Sequence, residues 1–210
     1  MRVVIFSAGQ VYDYERVRRL IGAPDLVICA DGGIRHALAL GLTPGLILGD
    51  FDSADPAVLA RLEAAGTPVQ RVPVEKDQTD THLALEEAVR RGAGEILLVG
   101  GAGSRLDHTL ANLLLLPGVA VPVTLVDGKN IARLLRPGQS LTVAGQPGDF
   151  LSLLPLTPAA TGVSVSPARW PLQNATLRWG ESLGVSNRLA GPEARVSVGE
   201  GYLLVIQAWD

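Results

Sequence analysis

The sequence predicts an α/β domain followed by a smaller, antiparallel β domain. Up to about residue 127, short apolar runs alternate with stretches of helical period, which is typical of an α/β unit. After about Lys129 the helical period stops, and short segments alternate apolar and polar residues between turns. The change of pattern lies near residues 128–137, and we divide the 210-residue chain into domains of residues 1–130 and 131–210.

The apolar runs of the first domain are predicted as buried strands of one sheet. They cover residues 3–6, 26–29, 46–48, 96–99 and 123–126. Four helices are predicted between or after them from capping signals and apolar periodicity. Two of these helices start at Asp55-Pro56 and at Asp80, and the other two span 34–40 and 106–116.

The second domain is predicted to contain only strands. Its alternating runs cover residues 140–144, 150–154, 162–165, 194–198 and 202–207. Turns rich in Gly, Pro and Asn separate these runs. A sandwich or a partial barrel of antiparallel strands is therefore expected.

Composition argues against several classes of partner. The formal net charge of −3 gives no reason to expect nucleic acid or an anionic membrane as a partner. Cys29 is the single cysteine, so no internal disulfide can form, which suits a cytoplasmic location. Asp13 and Glu15 follow the first apolar run too soon for a signal peptide, and the longest apolar run, 113–116, is far shorter than a membrane span.

Aspartates gather after the predicted strands of the first domain. They are Asp31, Asp50, Asp52, Asp77, Asp80 and Asp107. The carboxyl ends of strands in an open α/β sheet meet at the edge where ligands bind, so we expect these carboxylates to share one site. Close carboxylates repel unless a cation neutralises them, and Mg²⁺ prefers oxygen ligands together with substrate phosphates. A helix N-cap or a turn is the alternative for each aspartate, and we accept it for Asp55.

Glycines and cations accompany the acids. Asp31-Gly32-Gly33 and the run 100–103 lie at predicted strand-to-helix turns, where glycine lets backbone N–H groups approach an anion. Arg105 follows the second turn and can fork onto a phosphate, with a surface position at a helix start as the alternative. Lys76, beside Asp77, can also contact a phosphate, although its support is weaker. The sequence contains neither a P-loop motif nor the dinucleotide-binding glycine spacing, which excludes an ordinary P-loop kinase.

The histidines do not have the spacing of a transition-metal site. We interpret His36 and His82 as surface or packing residues. His108 and Asn112 are one helical turn apart, and the face that they share can look into the site. For Asn112, capping or packing is the alternative. Cys29 lies in an apolar strand and is expected to be inert core.

Four runs of this sequence resemble the thiamine pyrophosphokinases. They are ADGG at 30–33, LGDFDS at 48–53, EKDQTD at 75–80 and GSRLDHTLAN at 103–112. Weaker matches follow in the second domain: SLLPL at 152–156, WPL at 170–172 and SN at 186–187. The resemblance therefore spans nearly the whole chain, and its first four runs together are highly specific.

The resemblance implies both an architecture and a reaction. Residues 1–130 would form a three-layer α/β/α, Rossmann-like catalytic domain that binds ATP and Mg²⁺. Residues 131–210 would form an antiparallel sandwich-like or barrel-like β domain that contributes to the thiamine site. The implied enzyme transfers a diphosphate from ATP to the hydroxyl of thiamine, giving thiamine diphosphate and AMP. It would be a homodimer whose active site lies between the α/β domain of one subunit and the β domain of its partner.

The resemblance also implies roles for particular residues. The catalytic, metal-binding carboxylates would be Asp50, Asp52, Asp77 and Asp80. The ATP site would contain Asp31, Gly32, Gly33, Arg105, Asp107, His108 and Asn112. The thiamine site would contain Ser186 and Asn187, with Trp170 stacked on the thiazolium cation and Trp179 and Trp209 as alternatives.

The chain departs from the family pattern in two places. Ser104 stands where the family often has a second glycine before the arginine, and residues 166–168 replace the usual lead-in to WPL. The second departure concerns the choice of alcohol. Two alternatives are therefore open: a pyrophosphokinase acting on a hydroxymethyl-dihydropterin, and a non-catalytic sensor of a nucleotide or of thiamine diphosphate.

Overall fold

The chain divides into two compact units. A computed structural model describes residues 1–52 and 54–209. The first unit is Met1–Gly128, and the second begins at Lys129. In the described residues, no helix combines the length and the apolar character that crossing a membrane requires.

The first unit is built on a parallel sheet of six strands. They are β1 (Arg2–Phe6), β2 (Leu26–Ala30), β3 (Leu46–Gly49), β4 (Val69–Arg71), β5 (Glu95–Val99) and β6 (Val123–Val126). Their order is β6-β5-β1-β2-β3-β4, and each neighbouring pair is parallel. The chain runs outward from β1 to β4 and then returns to the other side of β1 with β5. Such a reversal leaves a crevice outside the carboxyl ends of β1 and β5, where α/β proteins bind ligands.

Five helices connect these strands. They are α1 (Tyr14–Ile21), α2 (Ile34–Ala39), α3 (Pro56–Ala64), α4 (Asp80–Arg90) and α5 (Leu106–Leu115). Short 3₁₀ turns precede α2 at Asp31–Gly33 and follow α5 at Leu116–Gly118. All of the predicted strands and helices of this unit are found, and α1 is an additional helix that the apolar pattern did not predict.

Side-chain caps fix where three of these helices begin. Asp55 accepts hydrogen bonds from the backbone N–H groups of Ala57 and Val58, which confirms its predicted role as the N-cap of α3. Thr79 caps α4 through the N–H of His82. Asp13 caps α1 in the same way. These bonds satisfy N–H groups that have no partner inside the helix.

The core of the first unit is centred on β1. Residues 3–6 are completely buried there, because parallel strands lie on both sides of β1 and helices α2 and α4 pack on it. Burial of each large apolar side chain contributes about 1.5–3 kcal/mol. The sheet is therefore a rigid base for the loops that leave its carboxyl edge.

The second unit contains two antiparallel sheets. One has the order β12-β9-β14-β7, formed by β7 (Asn130–Leu135), β9 (Phe150–Pro155), β12 (Asn187–Arg188) and β14 (Leu203–Ala208). The other has the order β11-β10-β13-β8, formed by β8 (Ser140–Ala144), β10 (Ala159–Ser166), β11 (Leu172–Arg178) and β13 (Glu193–Ser197).

The two sheets of the second unit share one apolar core. Leu151 and Leu153 from β9 belong to the same buried cluster as Val163 and Val165 from β10. Face-to-face packing of two antiparallel sheets is a β-sandwich. The predicted class, an α/β unit and an antiparallel β unit, is confirmed. Among the strands that the structure describes in the second unit, the sequence missed β7, β11 and the two-residue β12.

Candidate active site

A cavity of about 680 Å³ opens at the carboxyl edge of the parallel sheet. This volume is within the usual range for small-molecule sites. The loops after β1, β2, β3 and β5, the segment before α4 and the first half of α5 supply its walls. The lining residues that matter most below are Gly9, Asp31, Arg35, Asp50, Asp52, Lys76, Asp80, Arg105, His108 and Asn112.

Three carboxylates converge in this cavity. Asp31, Asp50 and Asp52 each offer an oxygen, and these oxygens all lie within 4.8 Å of one another. Asp31 is buried, Asp50 is half-buried and Asp52 is exposed, so the cluster extends from the floor of the cavity to its mouth. Sequence reasoning predicted that strand ends would bring these aspartates together, and they do meet.

Unusual backbone angles make this convergence possible. Asp31 and Phe51 have positive φ angles of 47° and 63°, which are uncommon for residues with a side chain. A Cβ on Gly49 would lie 3.1 Å from Cα of Asp31, so only glycine allows the end of β3 to approach Asp31 this closely. Phe51 then turns the chain so that Asp52 N–H donates to Asp50 Oδ1 at 3.3 Å.

Lys76 is the cation of the cavity floor. Its Nζ lies 3.1 Å from Asp50 Oδ2 and 3.1 Å from Asp80 Oδ1, and it also donates to the carbonyl of Pro73. All three charged side chains are at most one-fifth exposed. The hydrogen bond from Lys76 lowers the pKa of Asp50. Burial raises the pKa of Asp80 despite the same partner.

The donor set suits a hard divalent cation. Carboxylate oxygens are the ligands that Mg²⁺ and Ca²⁺ take, at about 2.0–2.6 Å, so opposite ligands of one ion lie about 4–5 Å apart. The oxygens of Asp31, Asp50 and Asp52 lie within 4.8 Å of one another, which is close enough for one ion to contact all three. Asp80 contacts Lys76, which also contacts Asp50 of the trio, so Lys76 links Asp80 to the three clustered carboxylates.

Two glycine-containing loops form another wall. Ser7, Gly9 and Gln10 donate their backbone N–H groups to the carbonyls of residues 99, 100 and 102, at 2.8–2.9 Å. A Cβ on Gly9 would lie 2.2 Å from the carbonyl oxygen of Ala102, so a side chain there would force the loops apart. The loops after β1 and β5 therefore form one bonded layer across the point where the strand order reverses.

Arg105, His108 and Asn112 lie along this cavity. For His108 and Asn112 this agrees with the prediction from their shared helix face. Asn112 is buried, and its amide donates to the carbonyl of Gly101 at 2.7 Å. It therefore ties α5 to the glycine loop. Arg105 is exposed, and its guanidinium contacts the carboxylate of Asp107 at 2.6 Å and 3.2 Å.

Four predicted site residues lie elsewhere than expected. Asp77 and Asp107 are exposed and are not among the described residues that line the cavity. Asp77 lies six residues beyond the end of β4, and this connection is long enough to carry it away from the edge. Gly32 and Gly33 are buried in the 3₁₀ turn, and a Cβ on Gly33 would lie 2.0 Å from the carbonyl oxygen of Phe6. The glycine at position 33 therefore serves packing rather than a direct approach to an anion.

The predicted thiamine residues lie in the second unit. Asn187 is buried, and its side chain accepts from the N–H of Trp170 at 3.1 Å and donates to the carbonyl of Trp170 at 2.6 Å. Its amide is therefore engaged with main chain. Trp170 is 53 % exposed, and the Arg169 guanidinium lies over its ring at 4.8 Å. Ser186 is exposed, with a positive φ of 58°.

Sequence reasoning understated the part of two residues. For Lys76 it predicts only a weakly supported contact with a phosphate, although a lysine between Glu75 and Asp77, with Asp80 nearby, is a recognisable signal of charge compensation. Of the two interpretations given for His36, surface or packing, the structure supports packing, because the residue is buried. Nothing in its sequence neighbourhood indicates its contact with Gly9. Ser53, the last residue of the run LGDFDS, lies outside the described residues.

Fold and cavity define a class: an α/β unit with a carboxylate-rich cavity at its sheet edge, followed by a β-sandwich unit. The family model "Thiamin pyrophosphokinase, catalytic domain" matches residues 17–121, and "Thiamin pyrophosphokinase, vitamin B1 binding domain" matches residues 140–203. The chain belongs to the thiamin pyrophosphokinase family, as the sequence runs predicted. The pterin and sensor alternatives are not favoured by these matches.

Individual relatives agree with this assignment. The thiamine pyrophosphokinase of Bacillus subtilis is 30 % identical over 188 residues, which cover 88 % of each chain. The crystal structure of the Bacillus subtilis thiamine pyrophosphokinase superposes with a TM-score of 0.88 at 26 % identity, covering all of both chains. That of the Geobacillus thermodenitrificans protein gives 0.86 at 29 % identity, covering all of this chain and 98 % of the other.

Proposed function

We propose that this chain transfers a diphosphate group from ATP to the hydroxyl of thiamine, producing thiamine diphosphate and AMP. Membership of the family supports the reaction. The observation that carries the proposal is the convergence of three carboxylates, with Lys76 beside them, in a cavity at the carboxyl edge of the sheet. A triphosphate needs compensating positive charge, and this cavity offers both a lysine and ligands for a divalent cation.

Mg²⁺ would be held by Asp31, Asp50 and Asp52 in this proposal. When bound, it neutralises charge on the phosphate oxygens during in-line displacement. Asp77 and Asp80 stay predicted members of the acidic set, although Asp80 contacts Lys76 and Asp77 is exposed. Asp31 joins the metal ligands because its oxygen lies within 4.8 Å of those of Asp50 and Asp52.

The chain's own groups then carry out the transfer. The thiamine hydroxyl oxygen bonds to the β-phosphorus, the bond from that phosphorus to the oxygen joining it to the α-phosphate breaks, and AMP leaves. Asp80 is the carboxylate best suited to accept the hydroxyl proton, because burial raises its pKa. Lys76 and Arg105 are placed to stabilise negative charge on the phosphates, since both line the cavity.

The β-sandwich unit would supply the thiamine site. Trp170 offers an exposed aromatic face for the thiazolium cation, and Ser186 offers a hydroxyl. Asn187 would act by holding the backbone of Trp170. The homodimer with a shared active site and the cytoplasmic location are further parts of the proposal, and both rest on resemblance to the family.

The test is an end-point assay with ATP, thiamine and Mg²⁺, in which AMP, ADP and thiamine diphosphate are separated by chromatography. Equal amounts of AMP and thiamine diphosphate, abolished by EDTA, support the proposal. ADP with thiamine monophosphate would mean transfer of only the terminal phosphate. AMP formed with a hydroxymethyl-dihydropterin and not with thiamine would leave the phosphate chemistry intact and refute the choice of alcohol.

Asp50→Asn tests the carboxylate cluster, with Asp55→Asn as the matched control. We expect Asp50→Asn to lower kcat at least about 100-fold, because Asp50 is both a proposed metal ligand and the partner of Lys76, and the substitution removes its charge. The second should leave turnover unchanged, since Asn caps a helix as well as Asp does. Near-normal turnover in Asp50→Asn would refute the assignment of this cluster.

A further inference from the structure

His36 is a buried imidazole behind the wall of the cavity, and the mechanism above does not use it. It lies on α2 and is 4 % exposed. Its Nδ1 lies 2.7 Å from the hydroxyl of Tyr14, and its Nε2 lies 3.0 Å from the carbonyl oxygen of Gly9. Both ring nitrogens are therefore engaged, one by α1 and the other by the loop after β1.

The partners of His36 determine its protonation state. A carbonyl oxygen cannot donate, so Nε2 carries the hydrogen and donates to Gly9. Nδ1 of the neutral ring is then an acceptor, and the Tyr14 hydroxyl donates to it. Burial lowers the pKa of His36, which favours this neutral form. The Gly9 carbonyl thus requires this tautomer, and the Tyr14 hydroxyl supports it by donating to Nδ1.

The ring also lies beside the second glycine loop. A Cβ on Gly100 would lie 3.4 Å from His36 Cδ2 and 2.6 Å from the carbonyl oxygen of Ser7. His36 therefore lies under the place where the loops after β1 and β5 bond to each other. On the outer side, the Arg35 guanidinium donates to the carbonyl of Gly9 at 2.9 Å and to that of Ala8.

We propose that His36, oriented by Tyr14, is a positioning residue that holds the loop 7–10 in shape for the nucleotide. The loop lines the carboxylate cavity, and the hydrogen bond to the Gly9 carbonyl fixes the orientation of one of its peptide groups. That the ligand is a nucleotide rests on the proposed function. His36 acts through the loop and touches neither the acidic trio nor Lys76 in the contacts that the structure describes.

The test compares His36→Phe, His36→Gln and Tyr14→Phe with His82→Phe, a control on the half-exposed histidine of α4. Binding of α,β-methylene-ATP with Mg²⁺ is measured by calorimetry, and KM is measured for ATP and for thiamine. We expect His36→Phe to weaken analogue binding and raise KM for ATP about tenfold, with KM for thiamine within about twofold. His36→Gln should stay within about threefold of wild type, because its amide can donate to Gly9, and Tyr14→Phe should fall between them.

Several results would overturn this role. They are a folded His36→Phe that binds the analogue as wild type does, a His36→Gln as weak as His36→Phe, and KM values for ATP and thiamine that rise equally. If His36→Phe does not fold, as judged by circular dichroism, an unchanged affinity in Tyr14→Phe overturns it instead. A wild-type chain that binds no analogue also overturns it. If wild type binds the analogue but makes no AMP with thiamine, the proposed function fails while the binding comparison still tests His36.

Discussion

Replacing Lys76 with Met is expected to destabilise the first unit, because it removes the cation shared by two carboxylates. Each contact is 3.1 Å long. Coulomb's law with an effective dielectric constant of about 20 gives about 5 kcal/mol for each contact, most of which offsets the desolvation of the charges. Exposed pairs contribute about 0–1 kcal/mol, and breaking a buried pair costs about 3–5 kcal/mol. For side chains 12–20 % exposed, we expect a loss of about 2–3 kcal/mol.

The assay is thermal unfolding followed by far-ultraviolet circular dichroism. For a chain of this size, the expected loss lowers Tm by about 5–10 °C. Lys129→Met is the matched control, because it removes the other lysine of the sequence from an exposed position. Asp80→Asn in the Lys76→Met background should restore part of the stability, since one of the two opposed carboxylates is then neutral.

Two outcomes would refute this role of Lys76. If Lys76→Met melts together with Lys129→Met, the lysine does not compensate the two carboxylates. If Lys76→Met costs as much with Asp80→Asn as without it, Asp80 is not energetically coupled to the lysine. Either result would refute the assignment of Lys76 as the cation that compensates Asp50 and Asp80.

Three further predictions concern the first unit. Glu87→Gln should cost about 1–2 kcal/mol near neutral pH, because bonds from Arg90 and Arg91 lower the pKa of Glu87. Because the pKa of Glu87 is lower in the native protein than its ordinary value of 4.5, the carboxylate stabilises the fold above pH 4.5, and this contribution is lost as the pH falls through the native pKa. The free energies of unfolding of the two proteins, measured in urea, should therefore converge only below about pH 4.5; a difference that does not depend on pH would contradict this. Gly33→Ala should lower the free energy of unfolding by several kcal/mol, whereas Gly118→Ala should lower it little, because the added Cβ would have open space around it. Equal unfolding midpoints of the two variants in urea would be evidence against close packing at Gly33. Burial raises the pKa of the Cys29 thiol, so iodoacetamide should modify it in urea and not in the native protein, as mass spectrometry would report; rapid native labelling would contradict its burial.

The sequence predicted the parallel sheet because its strands are continuous apolar runs. A short apolar run that ends at a glycine or a helix cap can form little other than a buried strand. Strand β1 is the clearest case, since residues 3–6 are fully buried. Helix α1 was missed because Val17 and Ile21 are its only buried residues and four of its other six residues are charged. Strand β11 was missed because its exposed and buried positions do not alternate regularly. In both cases tertiary contacts decide what local pattern cannot.

The candidate site was predictable where the chain leaves a strand directly. Asp31 and Asp50 follow the last residues of β2 and β3 without a gap, so the strand direction fixes where their side chains begin. Asp77 follows a longer connection, and Lys76 rather than Asp77 reaches the cavity. The contact of His36 with Gly9 joins residues 27 apart through a loop geometry that no local pattern encodes.

The bonds from Asn187 have a consequence for how substrate preference can change. Its amide holds the N–H and the carbonyl of residue 170, groups that all amino acids except proline possess. Asn187 therefore holds the main chain at position 170 whichever side chain that residue carries. In the proposed thiamine site, a different aromatic or aliphatic residue at position 170 would occupy the same place, so one substitution there would change the contact with the ligand without changing these hydrogen bonds.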